Sequence, residues 1–444
     1  MASLAGLGLS ARQGLFGCAV QTIFPPAAAK IKGYRLLGRT GFKVSDIGFG
    51  CGELAESTLL EAALDRGINY IDTAENYANG QADRIIGKAI KGRNRKSLFV
   101  TTKLGLMGES TKEKFLERAR RCLERMQTDY IDCLMMHFPS RIDHLKTEGF
   151  HEAARQLKAE GRIRFCGLSN HGSHYEDIPE SMEKILLAAA EDGRFDVMLF
   201  VYNFIQNEMG GRALLACREK KIGAAIMKSN PVGSYQETLA QIEAYKRYGQ
   251  PIPESLRSLT ARLRTVAVKA ETFQAKYKLA GGTETARAAV KFVLSNPDVS
   301  TVCCTFKNTD DLEKFLPLSG SKLEPAGQAE LQLYAATYGR LYCRHACGLC
   351  ESECPHSVPV NTIMRYEHYF RVQGREKSAR DRYFAKIAVK SDRCGYCSGY
   401  CEKACPYGVP VQGQLVLTHE KFISGAAFSI PLRGGLRQDA CRGG

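Results

Sequence analysis

The chain has 444 residues and an apolar fraction of 44%, and no run approaches the roughly 18 apolar residues of a bilayer span; this is the make-up of a globular protein without a transmembrane helix. That length accommodates a barrel of roughly 250 residues with room for a second, smaller unit. The formal charge of +15 suits an acidic partner or phosphates, but the basic residues are not interleaved with aromatics, which argues against nucleic-acid binding.

Residues 1–32 form a leader of unusual composition. A single charge, Arg12, precedes the apolar run GLFGCAVQTIF and the small residues Ala27 to Ala29. A cytoplasmic leader is the expectation. The alternative is a degenerate twin-arginine export signal, with Ser10-Ala11-Arg12 in place of Ser-Arg-Arg. From residue 33 short apolar segments alternate with amphipathic ones. Strands are expected at 45–50, 68–72, 98–103, 130–136, 163–168, 196–202, 222–227 and 299–304, and helices at 111–126 and 147–160, where apolar residues recur with a 3.6-residue period. Strands alternating with helices in this way predict an α/β (β/α)8 TIM barrel over 33–322. The stretch 232–283 is too long for one crossover and is expected to be an insertion with helical parts at 236–248 and 255–279.

Several of the expected strands end in residues that can do acid–base chemistry. GINYIDTAENY (67–77) places Asp72 at a strand end and Tyr77 one loop later. LFVTTK ends in Lys103, and DYIDCLMMH ends in His137. Charged and polar groups at the carboxyl ends of barrel strands converge on one face, where a (β/α)8 barrel builds its site.

After a helix expected at 328–342 comes a second unit, 323–423, followed by a Gly- and Arg-rich tail, 424–444. Of the 17 cysteines, Cys18, Cys51, Cys122, Cys133, Cys166, Cys217, Cys303, Cys304 and Cys441 are dispersed, several of them in apolar strands where cysteine behaves as a small hydrophobe. The rest form two blocks: Cys343-x3-Cys347-x2-Cys350-x3-Cys354-Pro355 and Cys394-x2-Cys397-x3-Cys401-x3-Cys405-Pro406. Four thiols closed by Cys-Pro is iron–sulfur spacing, though each block carries one residue more than the bacterial pattern; structural zinc usually shows two separated pairs without the proline. The blocks repeat, with CESECPHSVPV and CEKACPYGVPV offset by 51 residues, so two [4Fe-4S] clusters are expected. Eight thiolates on two such clusters would bring the charge to about +11. A helical stretch around 361–390 lies between the blocks, making this a small, mainly helical ferredoxin-like domain.

The strand-end residues, together with GYRLLGRTGFKVSDIGFG (33–50), resemble the aldo-keto reductase superfamily, and the cysteine unit resembles the branch of it with a C-terminal 4Fe-4S ferredoxin-type domain; the resemblance covers about 33–420. It implies a tetrad of Asp72, Tyr77, Lys103 and His137. Tyr77 would be the general acid in carbonyl reduction and the general base in alcohol oxidation, Lys103 would lower its pKa, Asp72 would hold Lys103, and His137 would bond the substrate oxygen. It implies NADP or NAD as cofactor. GLSNH (167–171) supplies Ser169 and Asn170 for the nicotinamide amide. Met227 stands where a stacking Tyr is common, beside Lys228, while Lys307 and Asn308 match a phosphate-binding loop. Leu199 replaces a Gln, Thr305 a Gly and Asp311 an Arg of that pattern, so any preference for NADPH is expected to be modest. By analogy with two-cluster ferredoxins, Cys354 would serve the second cluster and Cys405 the first.

Two functions fit. One is an NAD(P)-linked oxidoreductase acting on a small carbonyl or alcohol. The other is a redox-sensing or electron-transfer scaffold whose barrel binds nucleotide without rapid turnover. Hydride carries two electrons and a cubane normally takes one, so an acidic or flavin-containing redox partner protein is expected alongside the substrate.

Overall fold

A computed structural model describes residues 28–231 except 107, 109 and 173–178, and residues 283–424 except 372 and 373. Most of the leader, the 232–283 insertion and the tail beyond residue 424 lie outside the described residues.

A short antiparallel hairpin, β1 (Tyr34–Leu36) with β2 (Lys43–Ser45), precedes the barrel. Eight parallel strands then close on themselves: β3 (Ile47–Gly50), β4 (Tyr70–Asp72), β5 (Phe99–Gly105), β6 (Ile131–His137), β7 (Ile163–Asn170), β8 (Val197–Val201), β9 (Gly223–Met227) and β10 (Thr301–Thr305), with β10 pairing both β9 and β3. Each falls within two residues of its expected place at both ends. The barrel interior is filled by Tyr70, Phe99, Met135, Val197 and Leu199, and the hairpin's Leu37 and Val44 plug its floor. Tyr70 and Phe99 stack at 5.9 Å and Phe99 and Phe165 at 6.1 Å, so the centre is packed rather than open.

Helices α1 (Ser57–Asp65), α2 (Gln81–Ile90), α3 (Lys112–Met126), α4 (Glu148–Ala159), α5 (Met182–Asp192) and α6 (Asn207–Glu219) surround the barrel, followed by α7 (Thr283–Ser295) and the single turnings of α8 (Thr309–Phe315). The helix α3 illustrates the local logic. Thr111 accepts the N–H of Lys114 as an N-cap, Phe115, Leu116, Ala119, Cys122, Leu123 and Met126 form one buried stripe, and Gln127 ends it in the left-handed region.

The remaining helices, α9 (Pro325–Tyr338), α10 (Val360–Arg371), α11 (Glu376–Lys386), α12 (Tyr400–Ala404) and α13 (Val411–Ser424), enclose a second apolar cluster centred on Ile363, Tyr366, Tyr383, Leu415 and Phe422. The expected helix at 361–390 is two helices. Gly374 adopts φ +66°, a left-handed turn between the two helices, and the N–H of Arg375 reaches back 3.0 Å to the carbonyl of Tyr369.

This second unit sits on the carboxyl end of the barrel. Gln206, at the start of α6, donates to the carbonyl of His345 at 2.7 Å and accepts its N–H at 2.9 Å. The N–H of Met182 bonds the carbonyl of Ala346 at 2.7 Å, and Arg375 pairs with Glu53 at 3.0 Å. Among the described residues no helix is long and apolar enough to cross a membrane.

Candidate active site and cysteine groups

The carboxyl ends of the strands open into a cavity of about 590 Å³, within the range of small-molecule sites. Its floor holds Asp72, Tyr77, Lys103 and His137 together. Lys103, on β5, donates to Asp72 Oδ2 at 2.7 Å and to the carbonyl of Thr73 at 2.6 Å, and Thr101 donates to the other Asp72 oxygen at 2.7 Å. Asp72 and Lys103 are almost fully buried. Burial alone would lower the Lys103 pKa, but the adjacent Asp72 outweighs it and holds the ammonium above its ordinary range.

Tyr77 begins the turn after β4, where Ala78 and Asn79 both take left-handed φ values, +47° and +55°. That tight turn swings its ring back over the barrel, with Lys103 Nζ 5.2 Å from the ring centre and the His137 ring edge-on at 6.4 Å. The expected lowering of its pKa is not the net result. Burial pushes the phenol up, Lys103 pulls it down only in part, and it stands at about 12. His137 is driven the other way: burial, then Lys103, Arg365 and Arg382, hold its pKa well below the usual imidazole value. Its Nε2 is buried with no hydrogen-bond partner among the described residues. A neutral ring nitrogen facing a cavity beside a protonated phenol is suited to binding one oxygen atom of a guest.

The residues expected at the cofactor divide. Ser169 lines the cavity, and its buried hydroxyl has no hydrogen-bond partner among the described residues. Asn170 uses its amide on the protein itself, donating to the Pro139 carbonyl at 2.8 Å and accepting the Gly172 N–H at 3.1 Å. Met227 and Lys228 both line the cavity, Lys228 with φ +52°. Lys307 and Asn308 lie in the loop after β10. Lys307 Nζ is 3.4 Å from Glu53, its N–H bonds Asp311, and Asn308 caps α8 by accepting the Asp311 N–H.

Other lining residues carry no sequence signal. Cys303 comes from β10, while Tyr342, His368, Tyr369, Arg375, Ser378 and Arg382 come from the second unit. Ser378 and Arg382 are four residues apart on α11, one face of a helix, but nothing local says what that face meets. Gly52 admits Arg375: a Cβ there would lie 3.3 Å from its guanidinium and 3.7 Å from the Tyr77 ring.

The eight block cysteines fall into two sets that cross the sequence repeat. Burial, then Cys347, Cys350 and Cys405, raises the pKa of Cys343 well above its ordinary value. In the other set burial, then Cys401, Cys354 and Cys397, pushes Cys394 up to about 12. Cys405 lines one small cavity with Cys343, Cys347 and Cys350 of the first block, and Cys354 acts on Cys394 and Cys401 of the second, although Cys401 also acts on Cys350. Among the described residues no three metal-binding side chains are close enough for one ion. Buried thiols that repel one another's ionisation suit a group larger than one ion that brings positive charge among them.

Comparison with known proteins places residues 53–326 under the profile of the aldo/keto reductase family. The chain is 27% identical over 298 residues to L-galactose dehydrogenase of Arabidopsis thaliana, spanning 63% of this chain and 86% of that enzyme. It is 33% identical over 150 residues to the oxidoreductase YqkF of Bacillus subtilis, 31% of this chain and 48% of that protein, so it spans about half the length of that curated relative. Among solved structures, the aldo-keto reductase AKR11C1 from Bacillus halodurans, in its holo form, aligns at 23% identity with a TM-score of 0.49 over 68% of this chain and 95% of that one. The cysteine blocks, 343–405, lie outside the family match.

Proposed function

The chain belongs to the aldo/keto reductase family, and from that premise we propose that it is an NAD(P)-linked oxidoreductase that interconverts a small carbonyl compound and its alcohol, with Tyr77 as the proton donor and acceptor. The Lys103–Asp72 pair beneath Tyr77, at the floor of the cavity, is the observation that carries this. In reduction the Tyr77 hydroxyl gives its proton to the carbonyl oxygen, and His137 Nε2 bonds the same oxygen and fixes its position. Lys103, kept charged by Asp72, stabilises the phenolate left behind, an interaction stronger after proton transfer than before it. A bound nicotinamide supplies the hydride. The hydroxyl of Ser169, without a partner among the described residues, suits its carboxamide, and Asn170, which gives one amide N–H to Pro139 and accepts from Gly172, keeps a second N–H for it. Lys307, engaged with Glu53 and close to Asp311, is a weak anchor for a 2′-phosphate, so NADPH is favoured over NADH only modestly.

In the second unit Cys343, Cys347, Cys350 and Cys405 would hold one [4Fe-4S] cluster, and Cys394, Cys397, Cys401 and Cys354 the other, in a ferredoxin-type domain spanning 323–423. Such clusters supply single-electron exchange, and a formal charge of +15 suits an acidic or flavin-containing partner.

Tyr77→Phe tests the barrel chemistry. It should lower kcat by about 10²-fold or more while leaving nucleotide affinity within a factor of about two. If the wild type binds no nicotinamide nucleotide by calorimetry, the barrel is a scaffold in a redox relay instead.

A further inference from the structure

The wall of the cavity opposite the barrel carries more positive charge than the described residues neutralise. Asp72 is committed to Lys103 and Thr101. Glu53 is shared between Arg375 and Lys307. Arg382 from α11 and Lys228 from the end of β9 line the same cavity, and neither has a carboxylate of the described residues within ion-pair distance. Lys228 lies instead 3.3 Å from a nitrogen of His345 and 5.0 Å from the centre of the Tyr369 ring. Burial, then Arg365 and Arg375, drives its pKa well below the ordinary lysine value. An ammonium held among guanidiniums with no acid of the described residues near it is poorly accommodated, and an anion in the cavity would remove that penalty.

The position of this charge separates two kinds of anion. Arg365 and Arg382 both act on His137, the group proposed to hold the carbonyl oxygen. The loop of the expected phosphate-binding residues, Lys307 and Asn308, is outside the cavity lining.

We infer that α11 and the end of β9 form an acid-recognising wall, and that the carbonyl substrate carries a carboxylate or phosphate held by Arg382 and Lys228 while its carbonyl faces Tyr77 and His137. This rests on the oxidoreductase reading above. Lys103 on the barrel floor is neutralised by Asp72, so selectivity for acidic substrates would need Lys228 of the barrel and Arg382 of the second unit together.

The test uses the full-length protein with its clusters and two aldehydes that differ in charge, 4-carboxybenzaldehyde and its methyl ester. With NADPH each is reduced to its alcohol, the hydride coming from the nucleotide and the proton from Tyr77. The acid should exceed the ester in kcat/KM by about tenfold or more. Arg382→Ala should cut that ratio by about tenfold, with the ester and the NADPH dissociation constant nearly unmoved, Lys228→Met should cut it as well, and Arg382→Lys should restore part of what Arg382→Ala loses. An ester as good as the acid, or equal losses on both, overturns the inference. So does a loss confined to NADPH affinity, which would assign the charges to the dinucleotide's phosphates. If neither aldehyde turns over, calorimetry with 4-(hydroxymethyl)benzoate decides separately. Binding that Arg382→Ala abolishes keeps the wall and sinks the reductase reading, and no binding to the wild type at about 10 mM sinks the wall.

Discussion

Tyr77 and His137 are pushed in opposite directions by the same burial, and each ends in its neutral form. With the phenol at about 12 and the imidazole well below its usual value, neither changes charge between about pH 6 and 9. The kcat/KM for carbonyl reduction should therefore be flat over that range. A break near neutrality, measured with saturating nucleotide, would show that some other group donates the proton. The same scale sets cofactor choice. Asp311 accepts the Lys307 N–H at 2.9 Å and lies 3.6 Å from Lys314, so a carboxylate stands where a phosphate would seek a cation. Asp311→Arg should tighten NADPH relative to NADH by about tenfold, read as the ratio of dissociation constants at fixed salt. A wild type that already prefers NADPH a thousandfold, with no response to the change, would put the phosphate in another loop. The floor residues were legible in the sequence because each ends or follows an apolar strand. A second task of Asn170 was not: its side chain also holds the loop at Pro139 and Gly172.

Among the elements, α2 carries a cost. Asp83 lies in its first turn, fully buried, with Thr73 3.3 Å away and Arg125 only at 3.9 Å. Burial raises its pKa to about 6 from an ordinary value of 3.8. The folded protein thus binds this proton more tightly than the unfolded chain, so stability falls as pH rises from about 4 to 6 and the penalty is complete above that. Asp83→Asn should raise the thermal midpoint at pH 7.5, by the equivalent of roughly 1–3 kcal/mol, and the gain should shrink at pH 5. An equal gain at both pH values would mean that packing, not ionisation, is responsible. The barrel strands could be read closely because parallel strands buried on both faces are continuous apolar runs bounded by polar turns. The break between α10 and α11 could have been read from Gly374, which alone in that stretch takes a left-handed conformation without strain. That break starts α11 at Glu376, directly after Arg375, and α11 brings Arg382 to the cavity.

The whole molecule is two bodies sharing one site, and this sequence reasoning could not reach. Tyr77 and Arg382 are brought to one cavity by contacts such as the reciprocal Gln206–His345 bonds, and such long-range pairings leave no local pattern. The crossed cysteine sets have a direct signature. Cys354→Ser should impair the same cluster as Cys397→Ser, although it lies in the other block, and Cys405→Ser should behave like Cys350→Ser. Each should cost about half the iron in anaerobically prepared protein, and electron paramagnetic resonance of the reduced samples should sort the four variants into those two pairs. Sorting by block instead would mean the sets do not cross, and stoichiometric zinc would remove the clusters altogether.

The sharing also orders events in time. A ribosome that has released the chain only as far as β10 has delivered every strand of the barrel together with Asp72, Tyr77, Lys103 and His137. Of the proposed far wall, Lys228 is already present and Arg382 is not. The growing barrel thus has its proton-transfer groups before it has Arg375 and Arg382, and it acquires them only after the first cysteine block has emerged. The proposed acid-recognising wall is therefore completed after the barrel floor but before the second cysteine block, 394–405, has emerged.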